Sequence, residues 1–138
     1  MKLSSLATAG LTTSILSILA GAIVRATGSG DGCGASWPTC NGRVIPSLET
    51  SSEIIEFSHR SISGVLLIVT LLLFVKSKDP DTPLLHKKII NYLTFFVLLE
   101  AAIGAVIVIY EWVGLNSSLP RIIAAVSYTH LRAHETPI

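Results

Sequence analysis

Residues 3–24 run 22 positions without a charged side chain, and that apolar stretch constrains the fold more than any other feature. At about 1.5 Å per helical residue it can cross a hydrocarbon core of about 30 Å. A cleaved signal peptide is the competing reading, because Ala20-Gly21-Ala22 mimics a small-residue cleavage site. Signal cores hold only about 7–15 apolar residues, so a retained transmembrane helix or signal anchor is expected. Two more runs have similar length, 57–75 and 89–110, and a further apolar start at 119–126 looks like a fourth. Half of the residues are hydrophobic and 14% are charged, against about 25% charged in soluble domains. The expected fold class is all-α, a polytopic membrane helical bundle with three full transmembrane helices and the start of a fourth.

The charges sit in the connections. Lys76, Lys78, Lys87 and Lys88 fall in the short link between the second and third runs, together with Pro80 and Pro83. Lysine-rich short loops stay on the cytoplasmic side. The long connection 25–56 carries only Arg25 and Arg43 as basic residues, with five of the ten glycines. It is expected outside, which puts the N-terminus in the cytoplasm and makes the chain an integral protein of a bacterial or archaeal plasma membrane. Net charge is +1, so neither a nucleic-acid partner nor a polybasic lipid surface is indicated.

The hydropathy breaks off after Val126. Residues 127–138 are abruptly polar and resemble translated sequencing-adapter sequence, so they are expected to be non-native; a genuine polar tail is the alternative. His130 and His134 fall there.

Chemistry concentrates in Glu56-Phe57-Ser58-His59-Arg60, at the mouth of the second run. On a helix Glu56 and His59 share a face, and Arg60 points about 100° away from His59. The bland alternative is an interfacial flank in which Glu56 and Arg60 reach back to water. His59 is the one histidine placed to ligate haem iron, since His86 lies beside Lys87 at the cytoplasmic edge. The three intact spans offer no second histidine as the other axial ligand. Glu100, alone in the third run, is expected to be protonated or turned into the bundle towards a partner, with a hydrogen-bonding role favoured over a catalytic one. Cys33 and Cys40, the only cysteines, are expected to pair in an oxidising compartment. That bridge reads either as a structural staple or as an exposed redox pair exchanging with a partner thiol. Gly28-Ser29-Gly30-Asp31-Gly32 follows an apolar helix instead of a strand, so a nucleotide loop is discarded. Asn116-Ser117-Ser118 fits a glycosylation acceptor by chance and carries no weight.

Three stretches together resemble the haem A synthase family, membrane enzymes of cytochrome oxidase assembly. They are Gly21-Ala22-Ile23-Val24-Arg25-Ala26-Thr27-Gly28-Ser29-Gly30, the cysteine loop containing Ser36-Trp37-Pro38-Thr39-Cys40-Asn41-Gly42, and Glu56-Phe57-Ser58-His59-Arg60. The resemblance runs from residue 3 to about 126. It implies half of an eight-helix fold built from two similar four-helix halves, so that the chain is expected to be an N-terminal fragment, inactive by itself. It also implies oxidation of a haem O ring methyl to formyl, giving haem A, with O₂ chemistry and an external electron donor. Haem O is then the substrate and haem b a cofactor of the full-length family. Carried onto this chain, His59 is an axial iron ligand, Glu56 the carboxylate implicated in the reaction, and Arg60 a propionate contact or fold stabiliser. Cys33 and Cys40 are the loop pair that forms a disulfide, helps electron transfer or binds haem. The implied partners are the lipid bilayer, haem O, haem O synthase and the electron donor, and a homo-oligomer is allowed. The family's fourth-helix histidine would follow Val126, where this chain has Ser127. Two other functions compete: a quinone-linked membrane thiol-disulfide oxidoreductase, and a non-enzymatic b-type haem-binding assembly protein.

Overall fold

A computed structural model describes residues 2–47 and 49–110. They form α1 (Leu3–Thr27), α2 (Ser51–Lys76) and α3 (Leu84–Ile109), three helices long and apolar enough to cross a membrane. Among the described residues the only β pairing is an isolated bridge between Cys40 and Arg43. The protein is an all-helical membrane bundle. The fourth-helix start at 119–126, Asn116, the polar tail at 127–138 and its two histidines lie outside the described residues.

Each helix outruns its apolar stretch. α2 begins at Ser51, six residues before the apolar run, and α3 begins at Leu84, five before. Hydropathy marks where lipid begins; a helix can continue past that point if polar side chains satisfy its end. Glu53 lies in the first turn of α2, where a carboxylate is favoured at the positive end of the helix dipole. Pro83 caps α3 with a backbone already set for helix entry. α1 ends at Gly28, whose φ of 65° is the left-handed turn that closes many helices.

α2 is the central element and packs antiparallel to α1 along a seam of small residues. A methyl group placed on Gly10 would lie 3.8 Å from Val69, and one on Gly21 would lie 3.1 Å from the His59 ring. Between these two contacts, the Ser17 and Ser63 hydroxyls share a hydrogen bond of 2.8 Å. In lipid the hydrophobic effect does not drive one helix onto another, so close approach of small residues and interhelical hydrogen bonds must do so. α3 joins at the other end of the bundle, where Leu6, Leu73 and Ile90 form a buried cluster with Leu3 and Phe74 packed against it. Thr94 is buried on the same side of α3 and back-bonds to the Ile90 carbonyl at 2.8 Å. The molecule therefore has an apolar core at the end carrying the α2–α3 turn and a polar construction at the other.

Ser17→Ala and Ser63→Ala should each lower stability in detergent, and together by little more than either alone. A coupling energy of about 0.6 to 1.7 kcal/mol is expected from unfolding titrations of the double-mutant cycle.

Candidate functional site

The connection between α1 and α2, residues 28–50, folds back on the first turns of α2. Its centre is a disulfide between Cys33 and Cys40, with Cα atoms 4.3 Å apart. Cys33 is 0% and Cys40 1% exposed. The Asn41 amide donates to the Cys33 carbonyl at 3.1 Å, and Cys40 and Arg43 exchange two backbone hydrogen bonds of 2.9 Å. The loop meets the helix closely at Gly32, where an added methyl group would fall 2.6 Å from the Ser52 backbone. Only a residue without a side chain fits there.

Three side chains of α2 hold this loop, and all come from one arc of the helix. Residues 53, 56 and 60 fall within about 60° at 100° per residue. Glu53 accepts from the Ser47 amide at 2.9 Å, from the Ser47 hydroxyl and from the Asn41 side-chain amide. Glu56, 3% exposed, accepts the Cys33 amide at 2.7 Å on Oε2 and pairs through Oε1 with the Arg60 guanidinium. Arg60 then uses its other terminal nitrogen on the carbonyls of Ser36 at 2.5 Å and Thr39 at 2.9 Å. One guanidinium thus neutralises a buried carboxylate and satisfies two carbonyls inside the disulfide ring. Arg60 is fully engaged with protein.

His59 lies on the neighbouring arc, facing α1. Its ring stands against Gly21, with an added methyl there 3.1 Å from Cε1 and 3.6 Å from each ring nitrogen. Nδ1 is the one buried side-chain nitrogen or oxygen without a hydrogen-bond partner among the described residues. A buried polar group left unpaired costs about 1–3 kcal/mol, so this ring is poised to gain from a ligand or proton partner.

The structure brings Cys33, Cys40, Glu56 and Arg60 into one hydrogen-bonded unit, with His59 beside it. No hydrogen bond joins Glu56 to His59 among the described residues. Glu100, expected to turn towards a bundle partner, is instead exposed on α3. It sits about 120° around that helix from buried Thr94, and α3 packs through its beginning. His86 lies in the first turn of α3, at the opposite end of the bundle from His59. Among the described residues no group of three or more His, Cys, Asp or Glu could hold a metal ion. Sequence reasoning passed over Glu53, because the helix was expected to begin after it. The spacing Glu53, Glu56, Arg60 was the signal, one helical stripe aimed at the loop. Ser17, and the packing role of Gly21, went unnoticed because a seam shows only when both helices are placed.

Residues 4–54 match the family of cytochrome oxidase assembly proteins, COX15-CtaA. The chain is 41% identical over 97 residues to a heme A synthase of Lysinibacillus sphaericus, covering 70% of this chain and 32% of that protein. To the heme A synthase of Exiguobacterium sibiricum it is 36% identical over 122 residues, 86% of this chain and 40% of the relative. A protoheme IX farnesyltransferase of Thermus thermophilus is 40% identical over 133 residues, 94% of this chain and 21% of the relative. The chain therefore spans between 21% and 40% of the length of these relatives. No solved structure matches it significantly.

Arg60→Ala should destabilise the loop end by about 3–5 kcal/mol, because it strands Glu56 as an unpaired buried charge. Glu56→Gln should cost less, since the amide oxygen can still accept the Cys33 amide. Trypsin cleavage after Arg43 reads both, with Arg60→Ala the faster. Because both sulfurs are buried, a small phosphine should reduce the bridge slowly in the folded protein and much faster in Arg60→Ala, measured by maleimide labelling.

Proposed function

The chain is a relative of the haem A synthases and of the cytochrome oxidase assembly protein family, and from that premise we propose that it forms a haem-binding part of a membrane oxidoreductase. The reaction is oxidation of a ring methyl of haem O to formyl, giving haem A. The observation that carries the reading is His59. Its imidazole lies against α1 with neither ring nitrogen hydrogen-bonded to protein among the described residues; Nδ1 is buried, which leaves Nε2 as the nitrogen for an axial bond to haem iron. The iron would be held by the porphyrin and His59. When bound, the haem supplies the oxidisable methyl and the iron.

The remaining residues of the motif divide the labour. Glu56 lies one turn from His59 on an adjoining face, and its carboxylate keeps lone pairs beyond those used by Cys33 and Arg60. It is the candidate proton carrier, although accepting a proton means giving up its pair with Arg60. Arg60 serves the site by holding Glu56 and the loop, a role its contacts support better than contact with a propionate. The disulfide acts as a staple of the cover over this end: its burial withholds the access that thiol exchange needs, which counts against a quinone-linked disulfide enzyme. The lysines of the α2–α3 connection support a cytoplasmic N-terminus, with the disulfide loop on the outer side of the membrane. Haem O synthase as supplier of the substrate, O₂ as the oxidant and an external electron donor complete the proposed setting.

In cells supplying haem O, the purified protein should show a reduced-minus-oxidised haem spectrum that His59→Ala abolishes. Glu56→Gln, made in a parent protein carrying the remaining helices, should keep that spectrum but lower haem A formation by about 10²-fold or more, as for loss of a proton-transfer group. A spectrum unchanged in His59→Ala would remove the haem reading. Haem A formed at the normal rate by Glu56→Gln would leave Glu56 only its role in the loop.

A further inference from the structure

A histidine that binds a metal usually donates its second ring nitrogen to an acceptor, and that hydrogen bond fixes the plane of the ring. His59 has no such acceptor: Nδ1 is buried and unpartnered. What bounds the ring on the α1 side is the room left at Gly21. This residue, one turn beyond the Ser17–Ser63 hydrogen bond along the same seam, faces the edge of the imidazole that carries Nδ1, Cε1 and Nε2, which fills the space a side chain would need. We infer that Gly21 of α1 is a positioning residue for His59, setting the plane of the imidazole through the clearance it leaves, in place of a hydrogen bond. The inference rests on the reading of His59 as a haem ligand.

The physical case is one of clearance. A methyl at Gly21 would sit 3.1 Å from Cε1 and 3.6 Å from both nitrogens, tighter than ordinary van der Waals contact for the carbon. The neighbour must yield, and the imidazole can do so only by rotating or tilting, because α2 is held against α1 by the serine pair on one side and the loop clasp on the other. Gly10 provides an internal comparison. It lies in the same seam two turns beyond Ser17, but a methyl there meets only Val69 at 3.8 Å, an ordinary contact. Both glycines allow the helices to approach, and of the two only Gly21 has the candidate ligand in the space its missing side chain leaves.

The test uses the full chain in detergent micelles, with iron protoporphyrin IX as the probe. Wild type, Gly21→Ala, Gly10→Ala and His59→Ala are compared by haem titration, by the low-spin electron paramagnetic resonance of the ferric state, and without haem by ¹⁵N resonances of the His59 ring. Gly21→Ala should shift the resonance g values, weaken haem binding by about tenfold, as for loss of a group that orients a metal ligand, and move the ring nitrogen signals of the haem-free chain. Gly10→Ala should match wild type in all three. If Gly21→Ala matches wild type while His59→Ala loses the haem, the inference is overturned and the haem reading survives. If Gly10→Ala and Gly21→Ala change together, the cause is general loosening of the seam, and the inference is again overturned. If His59→Ala binds haem as wild type does, the haem reading falls and takes the inference with it. Should Gly21→Ala prove too unstable to load, the ¹⁵N signals of the haem-free chain still decide between ring movement and none.

Discussion

A carboxylate 4% exposed and a guanidinium 12% exposed, four residues apart at the mouth of an apolar helix, are tolerable only as a pair with further hydrogen-bond partners from the protein. Desolvating either alone costs several kcal/mol. Here the Glu56 carboxylate is completed by the Cys33 amide, and the Arg60 guanidinium by the Ser36 and Thr39 carbonyls. All three outside partners belong to the disulfide ring. The charge pair on α2 thus requires the loop to be folded as it is, and the loop requires the pair, because its carbonyls would otherwise be buried without donors. Neither part is stable in this form without the other.

This mutual requirement explains how the two ends of the bundle differ. At the α2–α3 turn, aliphatic contact among Leu6, Leu73 and Ile90 suffices. At the loop end the chain must cross polar ground, and hydrogen bonds from one stripe of α2 replace the missing apolar packing. The adjoining stripe carries His59, Ser63 and Leu66 towards α1 and the bundle interior. Glu56 lies at the border between the stripes, bonded to the loop through Cys33 and to Arg60 on its own helix.

Much of this was legible before any coordinates. Three long apolar runs could only be membrane helices, and lone cysteines seven positions apart in a glycine-rich loop could readily meet. Less legible was where the helices begin. Hydropathy reports contact with lipid, and Ser51 to Glu56 is polar because it faces the loop and water, not because it is unwound. Misplacing that start hid Glu53 and made Arg60 look free to meet a ligand, when its charge is spent on the protein. Ser17 and the packing role of Gly21 were invisible for another reason: small residues carry no periodic signal of their own, and their meaning depends on the register of a partner helix. A charge in mid-span is expected to be protonated or turned inward; Glu100 is exposed among the described residues, and the buried residues of α3, Ile90 and Thr94, lie near its start.

The contrast between Glu56 and His59 bears most directly on function. The two lie one turn apart at the loop end of α2. Both carboxylate oxygens of Glu56 have partners, so it is anchored. His59 has none among the described residues, and its Nδ1 is buried. Protein hydrogen bonds fix the carboxylate, while packing alone fixes the histidine. A change at His59 therefore breaks no hydrogen bond that holds the loop, whereas loss of the Glu56–Arg60 pair would free the Ser36 and Thr39 carbonyls and the Cys33 amide together. The two neighbouring residues are thus mechanically separable: one is bound into the cover over this end of the bundle, and the other stands beside it.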